Sequence, residues 1–134
     1  MSLFVDTSVW SLALRRDRPA MSPEVAALVK AIEAGEPILT TGLVLQELLQ
    51  GFSGPKAREQ MLHRFSAIPL LVPDRADHVE AVALRNACRR SGLGIGTIDA
   101  LLAQLCIHHG LLMLSSDRDF KGIAKHCALR LWEP

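Results

Sequence analysis

Short apolar runs alternate with longer segments of mixed polarity along the whole chain. The short runs are typical of buried strands and predict five of them, at Leu3–Asp6, Pro37–Thr41, Pro69–Pro73, Leu111–Ser115 and Leu129–Trp132. The segments between them predict helices, at Thr7–Arg16, from Ser22 to Gly35, at Leu43–Phe52, Lys56–Ala67, from Asp77 to Arg90, at Thr97–His109 and Phe120–Lys125. This order predicts an α/β fold whose parallel sheet is covered on both faces by helices.

Several polar residues and one glycine mark where the predicted helices begin and end. Ser22 before Pro23 predicts an N-cap, and Gly35 predicts a C-terminal stop. Asp77 and Thr97 are the expected caps of two later helices. The second helix is expected to present four apolar residues to the core: Val25, Leu28, Val29 and Ile32.

Acidic residues occupy four positions within or directly after apolar segments. Asp6 ends the first strand run, Asp117 follows the fourth, and Asp99 lies in a helix that is apolar nearly all round. Glu47 borders the apolar stripe of the helix "LVLQELLQGF". Three of them have an ordinary explanation: a helix cap for Asp6, solvent exposure for Glu47, and compensation of the helix dipole for Asp99.

The four acids also predict a shared site, because sites in open parallel sheets form beyond the carboxyl ends of the strands. Carboxylates gathered there would repel one another unless a cation neutralised them. Oxygen ligands without cysteine or histidine spacing suit Mg²⁺ or Mn²⁺. The candidate catalytic and metal-binding residues are therefore Asp6, Glu47, Asp99 and Asp117. Asp119 is expected to cap the short helix after it.

Length and composition predict a single domain over residues 1–134. The chain has a mass of 14.7 kDa and 49% hydrophobic residues, which fits a folded globule. No apolar stretch approaches the ~20 residues of a membrane span, and no signal peptide is evident. The three cysteines are far apart in sequence, which predicts reduced thiols in a cytoplasmic protein.

The charge composition allows a polyanionic partner. The net charge is only +1, but arginine supplies eleven of the fifteen basic residues and suits phosphate recognition. A solvated, mixed surface explains the same composition. Aromatic residues make up only 4% of the chain, so phosphate contacts rather than base stacking are expected to dominate any nucleic-acid binding. The candidate phosphate contacts are Arg15, Arg16, Arg89, Arg90, Arg118 and Lys121.

Other catalytic motifs do not fit. The "GLGIG" stretch lacks the dinucleotide-binding spacing, and no Walker A motif occurs. His108 and His109 are adjacent and are expected to face different ways, which argues against a zinc site and favours a role at a helix C-terminus. "DTS" lacks the second aspartate of a D-x-D phosphatase.

Four blocks together resemble a known family. "VDTSVW", "QELLQGF", "TIDALLAQ" and "LSSDRDFKGIA" are similar to the acidic blocks of PIN-domain ribonucleases in the VapC toxin branch, in the family's order and across the whole chain. Asp6, Glu47, Asp99 and Asp117 match the acidic quartet. Ser115 falls where the family often has a small hydroxyl residue, and Asp119 falls on a more variable acid.

The resemblance implies a compact, three-layer α/β/α domain that cleaves RNA with Mg²⁺ or Mn²⁺. It also implies a small VapB-type antitoxin as partner and usually a homodimer. Two other functions remain open from the residues alone. One is a protein-binding module with an acidic pocket and no catalysis, and the other is a magnesium-dependent phosphatase on a similar sheet.

Overall fold

A computed structural model of the chain describes residues 2–15, 21–52 and 54–134. The candidate phosphate contact Arg16 therefore lies outside the described residues. The family-like blocks all fall within the described ranges.

The described strands form one five-stranded parallel sheet in the order β3-β2-β1-β4-β5. Their bounds are β1 Leu3–Val5, β2 Ile38–Thr41, β3 Leu70–Leu71, β4 Leu112–Leu114 and β5 Arg130–Leu131. The predicted strands are confirmed, although each is shorter than its apolar run. The central strand β1 pairs on one side with β2 and on the other with β4.

Helices fill every connection between these strands. Their bounds are α1 Thr7–Ala13, α2 Pro23–Glu33, α3 Gly42–Gly51, α4 Pro55–Phe65, α5 Arg75–Arg90, α6 Thr97–His108 and α7 Asp119–Ala124. From β1 the chain runs outward through β2 to β3, then returns to β4 and β5 on the other side. Right-handed crossovers place α1–α4 on one face and α5–α7 on the opposite face. The predicted three-layer α/β/α sandwich is thus confirmed.

Hydrogen bonds at the helix starts show which residues act as caps. Ser22 Oγ accepts from the Val25 N–H at 3.1 Å, as predicted, and Gly35 follows α2 with a positive φ of 69°. The prediction that Asp77 caps α5 was wrong, because Asp74 is the N-cap and Asp77 completes a reciprocal capping box.

The N-cap of α6 was also predicted wrongly. It is Gly96 rather than Thr97, and no side chain caps this helix. Gly96 has the extended backbone of an N-cap, and Thr97 is already the first residue of the helix.

The core face of α2 is narrower than its apolar pattern predicted. Val25 and Leu28 are buried, and Ala31 joins them. Val29 and Ile32 were wrongly predicted to be buried, since they are 41% and 53% exposed. The stripe of apolar residues on this helix is wider than the surface that covers it.

The Asp77 side chain links α5 to α6. It is buried, with 2% exposure, and its Oδ1 lies 2.7 Å from Nδ1 of His108 at the end of α6. Burial alone would raise the pKa of Asp77, but hydrogen bonds from Asp74 and His108 outweigh it and lower the pKa. This contact joins the two helices that pack most extensively against each other.

The sequence predicted that His108 and His109, at the end of α6, face different ways, and this prediction is wrong. Their rings are stacked, with centroids 4.3 Å apart. Donor atoms of Asp77, His108 and His109 lie within 4.8 Å of one another. The 2.7 Å contact is nevertheless a hydrogen bond, shorter than the spacing of two ligands around one zinc ion, so Asp77 is already satisfied.

None of the helices in the described part of the chain has the length and apolar character needed to cross a membrane.

The double role of Asp77 leads to a stability prediction. Asp74→Ala should lower the free energy of unfolding by about 1 kcal/mol, the usual cost of losing a cap. Asp77→Ala should cost about 2 kcal/mol, because His108 also loses its partner. Urea denaturation measures both. Glu80→Ala, at an exposed position of the same helix, serves as control and should change little. Equal losses in Asp74→Ala and Asp77→Ala would show that the contact with His108 contributes nothing.

Candidate active site

The carboxyl ends of β1 and β4 lie side by side and form the base of the candidate site. β1 pairs in parallel with β4, and the Asp6 N–H extends the pairing by donating to the Leu114 carbonyl at 3.0 Å. After β1 the chain continues to β2 on one side of β1, and it later returns to form β4 on the other side. Such a switch point opens a crevice at the sheet edge, where ligands of open α/β sheets bind.

Two serine hydroxyls hold the carboxylate of Asp6. This side chain is only 7% exposed, and its Oδ2 accepts from Ser8 Oγ at 2.8 Å and from Ser115 Oγ at 2.9 Å. Asp6 occupies the N-cap position of α1, but its side chain makes no capping bond. The helix-cap explanation for this carboxylate is therefore wrong.

The same two serines fix the loop that carries Asp117. Ser115 Oγ accepts from the Asp117 N–H at 3.0 Å, and Ser8 Oγ accepts from the Ser116 N–H at 3.0 Å. Ser8 was not singled out from the sequence, because nothing local shows that it reaches a loop more than a hundred residues later. The pair couples the position of Asp6 to that of Asp117.

The charges of the four other acids act on the carboxylate of Asp99. Asp99 is in the first turn of α6 and is partly buried. Burial raises its pKa to about 6, with further increases from the charges of Asp117, Asp6, Asp119 and Glu47, in that order. A helix N-terminus by itself favours the charged form. Burial and the neighbouring carboxylates therefore outweigh the dipole, which alone does not explain this residue.

Glu47 lies near this group from the α3 side. Burial raises its pKa, and the charge of Asp6 raises it further, with a smaller opposing effect of the Thr7 hydroxyl. That hydroxyl is buried without meeting strict hydrogen-bond geometry to any partner in the described ranges. Glu47 is exposed, as its ordinary explanation predicted. The charge of Asp6 nevertheless acts on its carboxylate.

Asp119 belongs with Asp99 and Asp117 rather than at a helix cap. Carboxylate oxygens of these three residues lie within 4.8 Å of one another. Asp119 is the first residue of α7, and its N–H donates to Asp117 Oδ1 at 2.9 Å. The expectation that Asp119 caps this helix was wrong. Asp117 accepts the bond, which leaves the Asp119 carboxylate facing the acidic group.

The donor chemistry of the group fits a hard divalent cation. All five side chains offer carboxylate oxygens, the ligands preferred by Mg²⁺ and Mn²⁺. Within the described ranges, no lysine or arginine forms an ion pair with any of them. Beyond the effect of burial, the charges of the other four acids each raise the pKa of Asp99 further, as expected for carboxylates gathered without a cation.

Comparison with known proteins agrees with this geometry. The family model for the PIN domain matches residues 3–126. The chain belongs to the PIN-domain family. Relatives that are 29% identical over 125 residues, covering 92% of this chain and of theirs, include Ribonuclease VapC11 of Mycobacterium tuberculosis and VapC ribonuclease Mb1587 of Mycobacterium bovis.

Solved structures share the fold of this PIN domain at low sequence identity. VapBC2 from Rickettsia felis, solved with a DNA fragment from its promoter, matches with a TM-score of 0.74 at 20% identity, covering 99% of this chain and 100% of that one. FitAcB from Neisseria gonorrhoeae matches with a TM-score of 0.75 at 19% identity, covering 98% and 97%. These likenesses establish the architecture.

The raised pKa of Asp99 predicts how metal-free stability depends on pH. The unfolded carboxyl titrates near its ordinary pKa of 3.8 and the folded one near 6, so the folded state binds more protons between these values. Stability should therefore fall as pH rises through this window. Asp99→Asn should remove the loss and melt higher than wild type at pH 7 in EDTA, by several degrees, since about 1 kcal/mol corresponds to ~3–6 °C.

Thermal melts from pH 4 to 8 check this. Glu59→Gln, at an exposed position on α4, is the control and should keep the wild-type pH profile. If Asp99→Asn melts lower than wild type at neutral pH, Asp99 chiefly serves its helix N-terminus.

Proposed function

We propose that this PIN domain is a metal-dependent endoribonuclease that acts as the toxin of a toxin–antitoxin pair. One observation carries the proposal: Asp99, Asp117 and Asp119 bring carboxylate oxygens within 4.8 Å of one another at the switch point of the sheet, beside Asp6. The VapC ribonucleases among its relatives support RNA as the substrate.

Asp6, Asp99 and Asp117 are proposed to hold Mg²⁺ or Mn²⁺, with Glu47 completing the site and Asp119 adding a fifth carboxylate. A bound ion of this kind activates water for attack on the phosphorus and neutralises the charge that develops. The chain itself supplies the positioning. Ser8 and Ser115 fix the Asp6 carboxylate, and the β1–β4 pairing sets its distance from Asp117.

The proposed partners are RNA, a small VapB-type antitoxin and a second copy of the chain. The solved neighbour from Rickettsia felis is named VapBC2, which supports the antitoxin. We further propose one nuclease domain over residues 1–134 and action in the cytoplasm. The free thiols of Cys88, Cys106 and Cys127 support a reducing compartment.

RNA cleavage should depend on the metal and on the acids. Purified protein should cleave total bacterial RNA in the presence of Mg²⁺ or Mn²⁺, and EDTA should abolish this cleavage. Asp6→Asn and Asp99→Asn should each lose at least about 100-fold in rate, or ~2.7 kcal/mol of transition-state stabilisation. Glu59→Gln, which leaves the acidic group intact, should retain wild-type activity.

Cleavage in excess chelator, or an unchanged rate in either aspartate variant, would contradict this mechanism. Hydrolysis of p-nitrophenyl phosphate without RNA cleavage would favour the phosphatase instead. Binding of a protein partner by a chain that lacks both activities would favour the non-catalytic module.

Metal binding should also be visible without any substrate. Mg²⁺ should raise the melting temperature of the wild type, because an ion that binds only the folded state adds ~2.7 kcal/mol at a hundred times its dissociation constant. Asp99→Asn should gain less across the same Mg²⁺ series at constant ionic strength. Equal gains in both proteins would remove Asp99 from the proposed ligands.

A further inference from the structure

A cleft of about 470 Å³ opens directly beside Asp117 and is not used by the proposed chemistry. Its lining includes the loop after β4, the start of α7, the segment after β5 and the first turn of α2. The lining residues that matter here are Asp117, Arg118, Lys121, Trp132, Glu133 and Glu24. One wall of this cleft therefore belongs to the acidic group, and the remainder extends beyond it.

Trp132 gives the cleft an aromatic surface. It is partly buried and directly follows β5. Its backbone N–H donates to the Met113 carbonyl at 2.8 Å, which holds this residue against the sheet. The other tryptophan, Trp10, is 5% exposed and packs in the core against Phe65. The low aromatic content predicted that base stacking would not dominate RNA binding, but an aromatic residue lines the same cleft as Asp117.

The charged residues of the cleft fall into two kinds that suit different parts of a nucleotide. Arg118 and Lys121, at α7, are exposed cations adjacent to Asp117. Glu24 and Glu133 come from other elements. Within the described ranges neither carboxylate forms an ion pair with a cation. The cations suit a phosphate, whereas free carboxylates accept hydrogen bonds from the amino group of a base.

We propose that this cleft binds one nucleotide of the RNA, adjacent to the phosphate that is cleaved, and selects a base that carries an exocyclic amino group. The base stacks on Trp132 with its amino group toward Glu133 or Glu24, and Arg118 and Lys121 contact the backbone phosphate. Uracil is disfavoured, because its O4 presents an acceptor where cytosine presents the N4 donor. The inference rests on the proposed ribonuclease function and adds a base preference to it.

Binding of two oligonucleotides tests the base preference. Fluorescein-labelled hexacytidylate and hexauridylate are titrated with wild-type protein in Ca²⁺, followed by anisotropy, and gels verify that the RNA stays intact. Cytidylate should bind about tenfold more tightly than uridylate, the scale of one specific base contact. Trp132→Leu should weaken both by roughly tenfold, whereas Trp132→Phe, which can still stack, should stay near wild type.

Charge variants test the carboxylates. Glu133→Gln and Glu24→Gln remove one charge each and exchange an acceptor for a group that can also donate to uracil, so at least one of them should reduce the preference for cytidylate. Glu33→Gln, at the far end of α2 from Glu24, should leave it unchanged. Melting temperatures of all variants verify folding.

The outcomes separate this inference from the proposed function. If the wild type cleaves bacterial RNA but binds both hexamers equally, or if Trp132→Leu binds like wild type, the cleft assignment is wrong and the nuclease assignment stands. If no RNA is cleaved with Mg²⁺ or Mn²⁺, the proposed function fails. A preference for cytidylate that persists in both Glu→Gln variants would overturn the role of the carboxylates.

Discussion

The parallel pairing of β1 with β4 is the interaction on which the rest of the structure depends. Its register places Val5 opposite Leu114, and the Asp6 N–H continues the ladder by one bond. The pairing makes β1 central, divides the helices between two faces and creates the switch point at the sheet edge. Asp6 and Asp117 are neighbours only because of this pairing.

A site built in this way concentrates charge that the fold must tolerate. The hydroxyls of Ser8 and Ser115 stabilise the Asp6 carboxylate, and the N-terminus of α6 favours an anion at Asp99. These contacts do not offset burial and the neighbouring charges, which together raise the pKa of Asp99 to about 6. The apolar core around β1 and β4, with Phe4 and Met113 fully buried, supplies the stability that keeps the acids together.

The sequence was sufficient for the order of the elements and for the parallel sheet, because apolar runs separated by helix-length segments admit few other arrangements. It could not show how much of the surface of α2 its neighbours cover, so the prediction that Ile32 is buried was wrong. It placed acids at strand ends, but it could not show the hydrogen bonds of Ser8, which depend on a distant loop. Asp119 was misassigned because a capping residue and a site residue look alike in sequence, and Trp132 was missed because composition says nothing about position.

The serine contacts to Asp6 also have a consequence for how the protein folds. Ser115 and Asp6 are separated by 109 positions, so their contact is among the most non-local in the chain. Contacts of this kind carry a large loop-closure entropy, and folds rich in them form slowly. A chain interrupted before β4 contains Asp6, Glu47 and Asp99 but neither Asp117 nor Asp119. The acidic group is therefore completed late, once nearly all of the polypeptide has been made and ordered.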